Sequence, residues 1–70
     1  MDGLIEGRNV HYVEKNSNHS PAIIEHVWND EGVCNLYVMQ NDGIRNHRSE
    51  YSVKHSKEFE AGTWHFIEKK

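Results

Sequence analysis

Six histidines and a single cysteine are the residues of this chain best equipped for chemistry. An imidazole can move a proton, ligate a metal or act as the base for a nucleophile. Cys34 would be that nucleophile. It alternates with Leu36 and Val38, however, which puts it on the apolar face of a strand, where a cysteine behaves as a small hydrophobe. Structural zinc sites draw on Cys or His paired at ligand spacing, a pattern this chain lacks. His11, His26 and His65 fall on three separate predicted strands, so only the fold can bring them together. The G-x-S-x-G, P-loop and dinucleotide glycine patterns are also missing from the sequence. The expectation is a protein with no catalytic residues, no cofactor and no metal. Protonating all six histidines would carry the net charge from −3 to +3, with the sign changing once half of them are protonated.

Nucleic-acid binding would leave a basic footprint. Here 11 acidic residues face 8 Lys plus Arg, so nucleic acid is not the expected partner. Residues 44–48, IRNHR, form the one local exception, which makes Arg45 and Arg48 a candidate binding patch. The aromatics carry more weight. Tyr12, Trp28, Tyr37, Tyr51, Trp64 and Phe66 are more large rings than so short a chain can enclose, and the surplus belongs on a groove or an interface. Flat rings beside arginines suit protein surfaces. They also suit nucleotide bases and phosphates, through stacking and charge-assisted hydrogen bonds.

Positioning these side chains falls to strands. Residues 22–28 and 33–39 read as a hairpin around Asn29-Asp30-Glu31-Gly32, whose Asn, Asp and Gly are turn formers. The spacing predicts further strands over residues 8–13, 50–55 and 63–68. Between them lie polar segments: residues 14–20, residues 40–49 with an Asp42-Gly43 turn signal, and residues 57–62 as a loop or single helical turn. A lone hairpin is marginal in water, and five short strands cannot build a seven-stranded sandwich. The fold that fits is all-β: a small, five-stranded, SH3-like, partly open barrel with Val10, Tyr12, Ile24, Val27, Leu36, Val38, Val53, Trp64 and Phe66 inside.

Seventy residues make one domain, with residues 1–7 and 69–70 expected as loose ends. One cysteine excludes an internal disulfide. A core this small, with rings to spare, points to a homo-oligomer formed through a sheet edge. No apolar run is long enough to span a membrane. The N-terminus lacks a signal-peptide pattern, and the expected location is the cytoplasm.

Several segments together carry a resemblance. They are G-R-x-V-H-Y-V from Gly7 to Val13, H-x-P-A-I-I from His19 to Ile24, Val27-Trp28, V-x-N-L-x-V from Val33 to Val38, and Gly62-Thr63-Trp64-His65. This pattern resembles a family of small phage and prophage proteins. Family members tend to carry a Trp before the fourth strand, where this chain reads RNHRSEYSV. The resemblance implies no enzymatic activity. It implies a phage-type protein in a bacterial cytoplasm that inhibits a host defence component, by binding a host protein or by sequestering a small nucleotide ligand. The alternative is a general SH3-like interaction module for peptide or nucleic acid. Binding is expected on Arg8, His11, Tyr12, His19, Trp64 and His65, which combine rings with hydrogen-bond donors, with Arg45 and Arg48 as the second patch.

Overall fold

The computed structural model describes residues 1–39 and 47–67. Every regular element among them is a strand: β1 (Asn9–Val13), β2 (His19–Val27), β3 (Cys34–Val38), β4 (Arg48–His55) and β5 (Thr63–Phe66). They form an SH3-like barrel in the order β1-β2-β3-β4-β5. The expected ring was partly open; the observed one is closed. β5 pairs antiparallel with β1 at Val10↔Phe66, His11↔His65 and Tyr12↔Trp64, and parallel with β4 at Lys54↔Thr63 and His55↔Trp64. β5 thus joins the two ends of the sheet, pairing with residues 10–12 of β1 and residues 54–55 of β4. The Asp42-Gly43 turn, Arg45 and the end of the last predicted strand at Glu68 lie outside the described residues.

Two irregularities let so few strands curl into a ring. The β2–β3 register shifts between Ile24 and His26, and the β3–β4 register shifts between Cys34 and Leu36. In the second, Tyr51 and Ser52 both stand against Asn35, and Ser52 takes φ 53°. Bulges of this kind bend a strand and increase its twist. β2 is shared between neighbours: residues 19–23 pair with β1, and residues from Ala22 onward pair with β3. Fully buried Ala22 lies where the two pairings overlap, between Val10 and Val38.

Alternation along the strands builds the interior. Val10, Tyr12, Ala22, Ile24, Cys34, Leu36, Val38, Val53 and Trp64 form the core, with Leu4, Val27 and Phe66 packed against it from the ends. Val27 and Phe66, expected inside, are therefore rim residues, and Ala22 was missed because one methyl carries little hydrophobic signal. Cys34 is fully buried as its alternation implies, and burial raises its thiol pKa and keeps it protonated. The N-terminal segment is attached rather than loose. The Gly7 N–H donates to the Ile24 carbonyl at 2.7 Å, and Leu4 packs on the core. No helix among the described residues is long and apolar enough to cross a membrane.

His55 meets the rings of Trp64 and Phe66 at centroid distances of 4.7 and 5.7 Å. Burial, and then the charge of Lys57, hold its pKa below the ordinary imidazole range. The folded state therefore prefers neutral His55, and the unfolded chain takes up the proton first as pH falls. Its contribution to stability is complete above the ordinary histidine range, near pH 6.5, and is lost as pH falls through the lowered folded value. The melting temperature should drop on acidification from about pH 7 to about pH 5, and His55→Gln should flatten that slope. A His55→Gln protein with an unchanged slope would assign the pH dependence to other groups.

Candidate functional site

β1 turns Val10 and Tyr12 into the barrel, so His11 and Val13 face out. By the same parity His65 faces out from β5 beside core Trp64, and His19 faces out at the start of β2. Pairing then does what sequence spacing cannot. His11 and His65 are direct cross-strand partners, and His19, opposite Val13, is the diagonal neighbour of His11. The three rings meet edge to face: His11–His65 at 5.5 Å, His19–His65 at 4.8 Å and His11–His19 at 6.1 Å between centroids, with interplanar angles of 83°, 66° and 73°.

Outward residues of a small barrel are normally wet, yet Val13 and His65 are only 1% and 3% exposed. The segment 56–62 covers them. It is tied back by Ser56 N–H to the Trp64 carbonyl at 3.0 Å and Gly62 N–H to the Val13 carbonyl at 2.8 Å. Its own polar side chains shape it: Ser56 Oγ accepts from the Glu58 N–H and donates to Glu60 Oε1, and Thr63 Oγ1 donates to the Glu60 carbonyl. Phe59 takes φ 57°, an uncommon conformation for a bulky residue. Its ring rests 4.4 Å from that of His65 and 5.3 Å from that of His19. Sequence reasoning missed Phe59. The available signal was one large ring in the otherwise charged and small run KEFEAG.

Of the expected binding residues, the fold thus gathers His11, His19 and His65. Tyr12 and Trp64 leave that surface because alternation sends them inward; Trp64 is fully buried and donates its Nε1–H to the Gly32 carbonyl at 2.7 Å. Arg8 is exposed, but it has the parity of Val10 and lies against the Phe66 ring at 4.9 Å, beyond the far end of β1 from His19. Arg48 is paired with two carboxylates of the chain. Its Nη2–H donates to Glu14 Oε1 at 2.7 Å and its Nε–H to Glu50 Oε2 at 2.6 Å, with the guanidinium 5.7 Å from the Tyr12 ring. Burial alone would lower the Arg48 pKa, but the carboxylates of Glu50 and Glu14 outweigh it and raise it. The Tyr12 hydroxyl is raised by burial and then by the same two carboxylates. His26, once a candidate to converge with His11 and His65, instead places Nδ1 3.2 Å from Glu6 Oε2.

A second outward surface spans β2, β3 and β4. Tyr37 stands between Ile23 and Ser49, and Asn35 lies opposite His26. Asn35 Oδ1 accepts both Trp28 Nε1–H and the Ser52 N–H at 2.9 Å, which locks the indole to the bulge. The His26 ring meets Trp28 at 4.4 Å. Trp28 is 56% exposed, Tyr51 71% and Tyr37 37%, so these rings are the ones the core could not take.

The fold and its sites define a class: a small closed β-barrel with two outward surfaces, a histidine cluster under a loop and an open aromatic sheet face. No family model, curated protein or solved structure matches the chain.

Proposed function

We propose that this protein is a non-enzymatic binding module that inhibits a bacterial defence component, acting as a phage-type protein by covering a host protein. The supporting observation is the aromatic face on β2-β3-β4, where Trp28, Tyr37 and Tyr51 stay exposed while the core is complete without them. Large amphipathic rings fixed in place are the groups that dominate protein interfaces. Asn35 holds the Trp28 indole before any partner arrives, so little side-chain freedom is lost on binding. An open face suits a protein partner better than an enclosed nucleotide. The pairing of Arg48 with Glu14 and Glu50 removes a cation from the patch that a phosphate would need. The phage setting rests on the resemblance of the GRxVHYV, HxPAII and GTWH segments.

Expression in bacteria carrying individual defence systems tests this reading. Phage plating should recover on the strain whose defence is targeted. Trp28→Ala and Tyr51→Ala, exposed sites that leave the core intact, should each weaken binding to the target about 30-fold or more and abolish the recovery. Variants that protect phage as well as the parent would remove the aromatic face. Thermal shift with cyclic nucleotides and no protein target would favour sequestration instead.

A further inference from the structure

Beyond this reading, the geometry points to a second site: we propose that His11, His19 and His65 bind a divalent transition-metal ion of the zinc class. One ligand nitrogen from each ring lies within 4.8 Å of the others. Zinc held by imidazole at about 2.0–2.1 Å in a tetrahedron brings ligand nitrogens to roughly 3.3 Å of one another. The rings close the remaining gap when the ion binds. His19 is the exposed member of the three, and His11 and His65 stand side by side as cross-strand partners.

Three further observations agree. The donor set is purely imidazole, without a carboxylate in the cluster, the set that suits zinc, copper and nickel over calcium or magnesium. Nδ1 of His11 is buried and has no hydrogen-bond partner among the described residues, which is costly for a polar atom unless something binds there. Phe59 rests against the His65 and His19 rings and puts an apolar side chain on one flank of the cluster. Three protein ligands leave a fourth position for water or for a group from a partner.

Such an ion would join β1, β2 and β5, the strands that close the barrel. A 70-residue chain without a disulfide gains much from that link. Binding also reports itself in stability, because ligand at 100 times its dissociation constant raises the melting temperature of a domain this size by roughly 10–20 °C.

The test uses the full chain cleared of metal with a chelator, then titrated with Zn2+ and, separately, with Co2+. The expected results are a rise in melting temperature with Zn2+, one ion per chain by calorimetry, and the intense visible absorption of tetrahedral Co2+. His19→Gln is exposed and should melt like the metal-free parent, yet lose at least 10-fold in Zn2+ affinity and the Co2+ spectrum. His26→Gln, on the aromatic face, should keep both. Because buried His65 can be needed for folding, the decision rests on His19. Absence of any Zn2+ shift, or a shift and spectrum that survive His19→Gln, overturns the proposal. Since these readouts involve no host protein, a failure of the aromatic face as an inhibitor leaves them untouched.

Discussion

Trp64→Ala should remove about half of the protein's stability and move its urea midpoint far below the parent's. The indole is fully buried at the centre of the core, against the ring of Phe66 at 5.0 Å and the ring of His55 at 4.7 Å. Truncating a buried Trp to Ala costs about 3–5 kcal/mol. A domain of this length has only about 4–10 kcal/mol of total stability, at roughly 0.05–0.15 kcal/mol per residue. The side chain also carries one of the few long-range polar links of the interior, from Nε1–H to the Gly32 carbonyl. Trp64→Phe separates the two contributions. It keeps most of the apolar contact but leaves the Gly32 carbonyl facing a ring that cannot donate, at a cost of about 1–3 kcal/mol. Urea titration followed by far-UV circular dichroism measures both. A Trp64→Ala midpoint close to the parent's would take Trp64 out of the core and undermine the β1–β5 register with it.

Gly32→Ala should be nearly as damaging, although it adds a single methyl to a turn. Gly32 has φ 97°, in the region that residues with a side chain avoid. A Cβ there would lie 2.8 Å from the His55 Cβ and 3.1 Å from the Met1 Cε. Met1 can swing aside; the His55 Cβ is fixed to the backbone of β4. Any shift of the turn also moves the carbonyl that receives Trp64 Nε1–H. Left-handed strain of about 1–2 kcal/mol and overpacking of about 1–3 kcal/mol give an expected loss of roughly 2–5 kcal/mol. Gly7→Ala is the internal control. Gly7 has φ 88° with nothing within 4 Å of its added Cβ, so it reports strain alone. Equal losses at the two positions would show that the His55 contact is not tight.

Much of this was legible along the chain. The alternation of Cys34, Leu36 and Val38 announced a half-buried strand, and the Asn29-Asp30-Glu31-Gly32 turn announced its hairpin. Both are local signals, and both appear in the structure, where Asn29 Oδ1 accepts from the Glu31 and Val33 N–H groups. Strand ends were less accurate. β2 begins at His19, not near Pro21, because pairing with β1 extends it through a stretch whose own residues read as loop. The excess of rings was visible, but not their division. Tyr12 and Trp64 went inside and Trp28, Tyr37 and Tyr51 outside, by a parity that only the pairing register sets.

The sequence by itself determined the strand periodicity, the number of strands and the apolar stripe that becomes the core, because a period of two depends only on near neighbours. It also determined that Cys34 would be buried. Only the tertiary structure decided which histidines meet. His11 and His65 are 54 positions apart in the chain, and β1 and β5 become neighbours only when the barrel closes. The burial of His65 was decided at the same level, since an outward residue of β5 stays wet until the segment 56–62 folds back and lays Phe59 over it. The fold likewise brought Glu14, 34 positions away in the chain, to Arg48, whose guanidinium also meets Glu50 on its own strand. Contacts of this kind arise from ring closure and loop docking, for which no local pattern of residues is a sufficient signal.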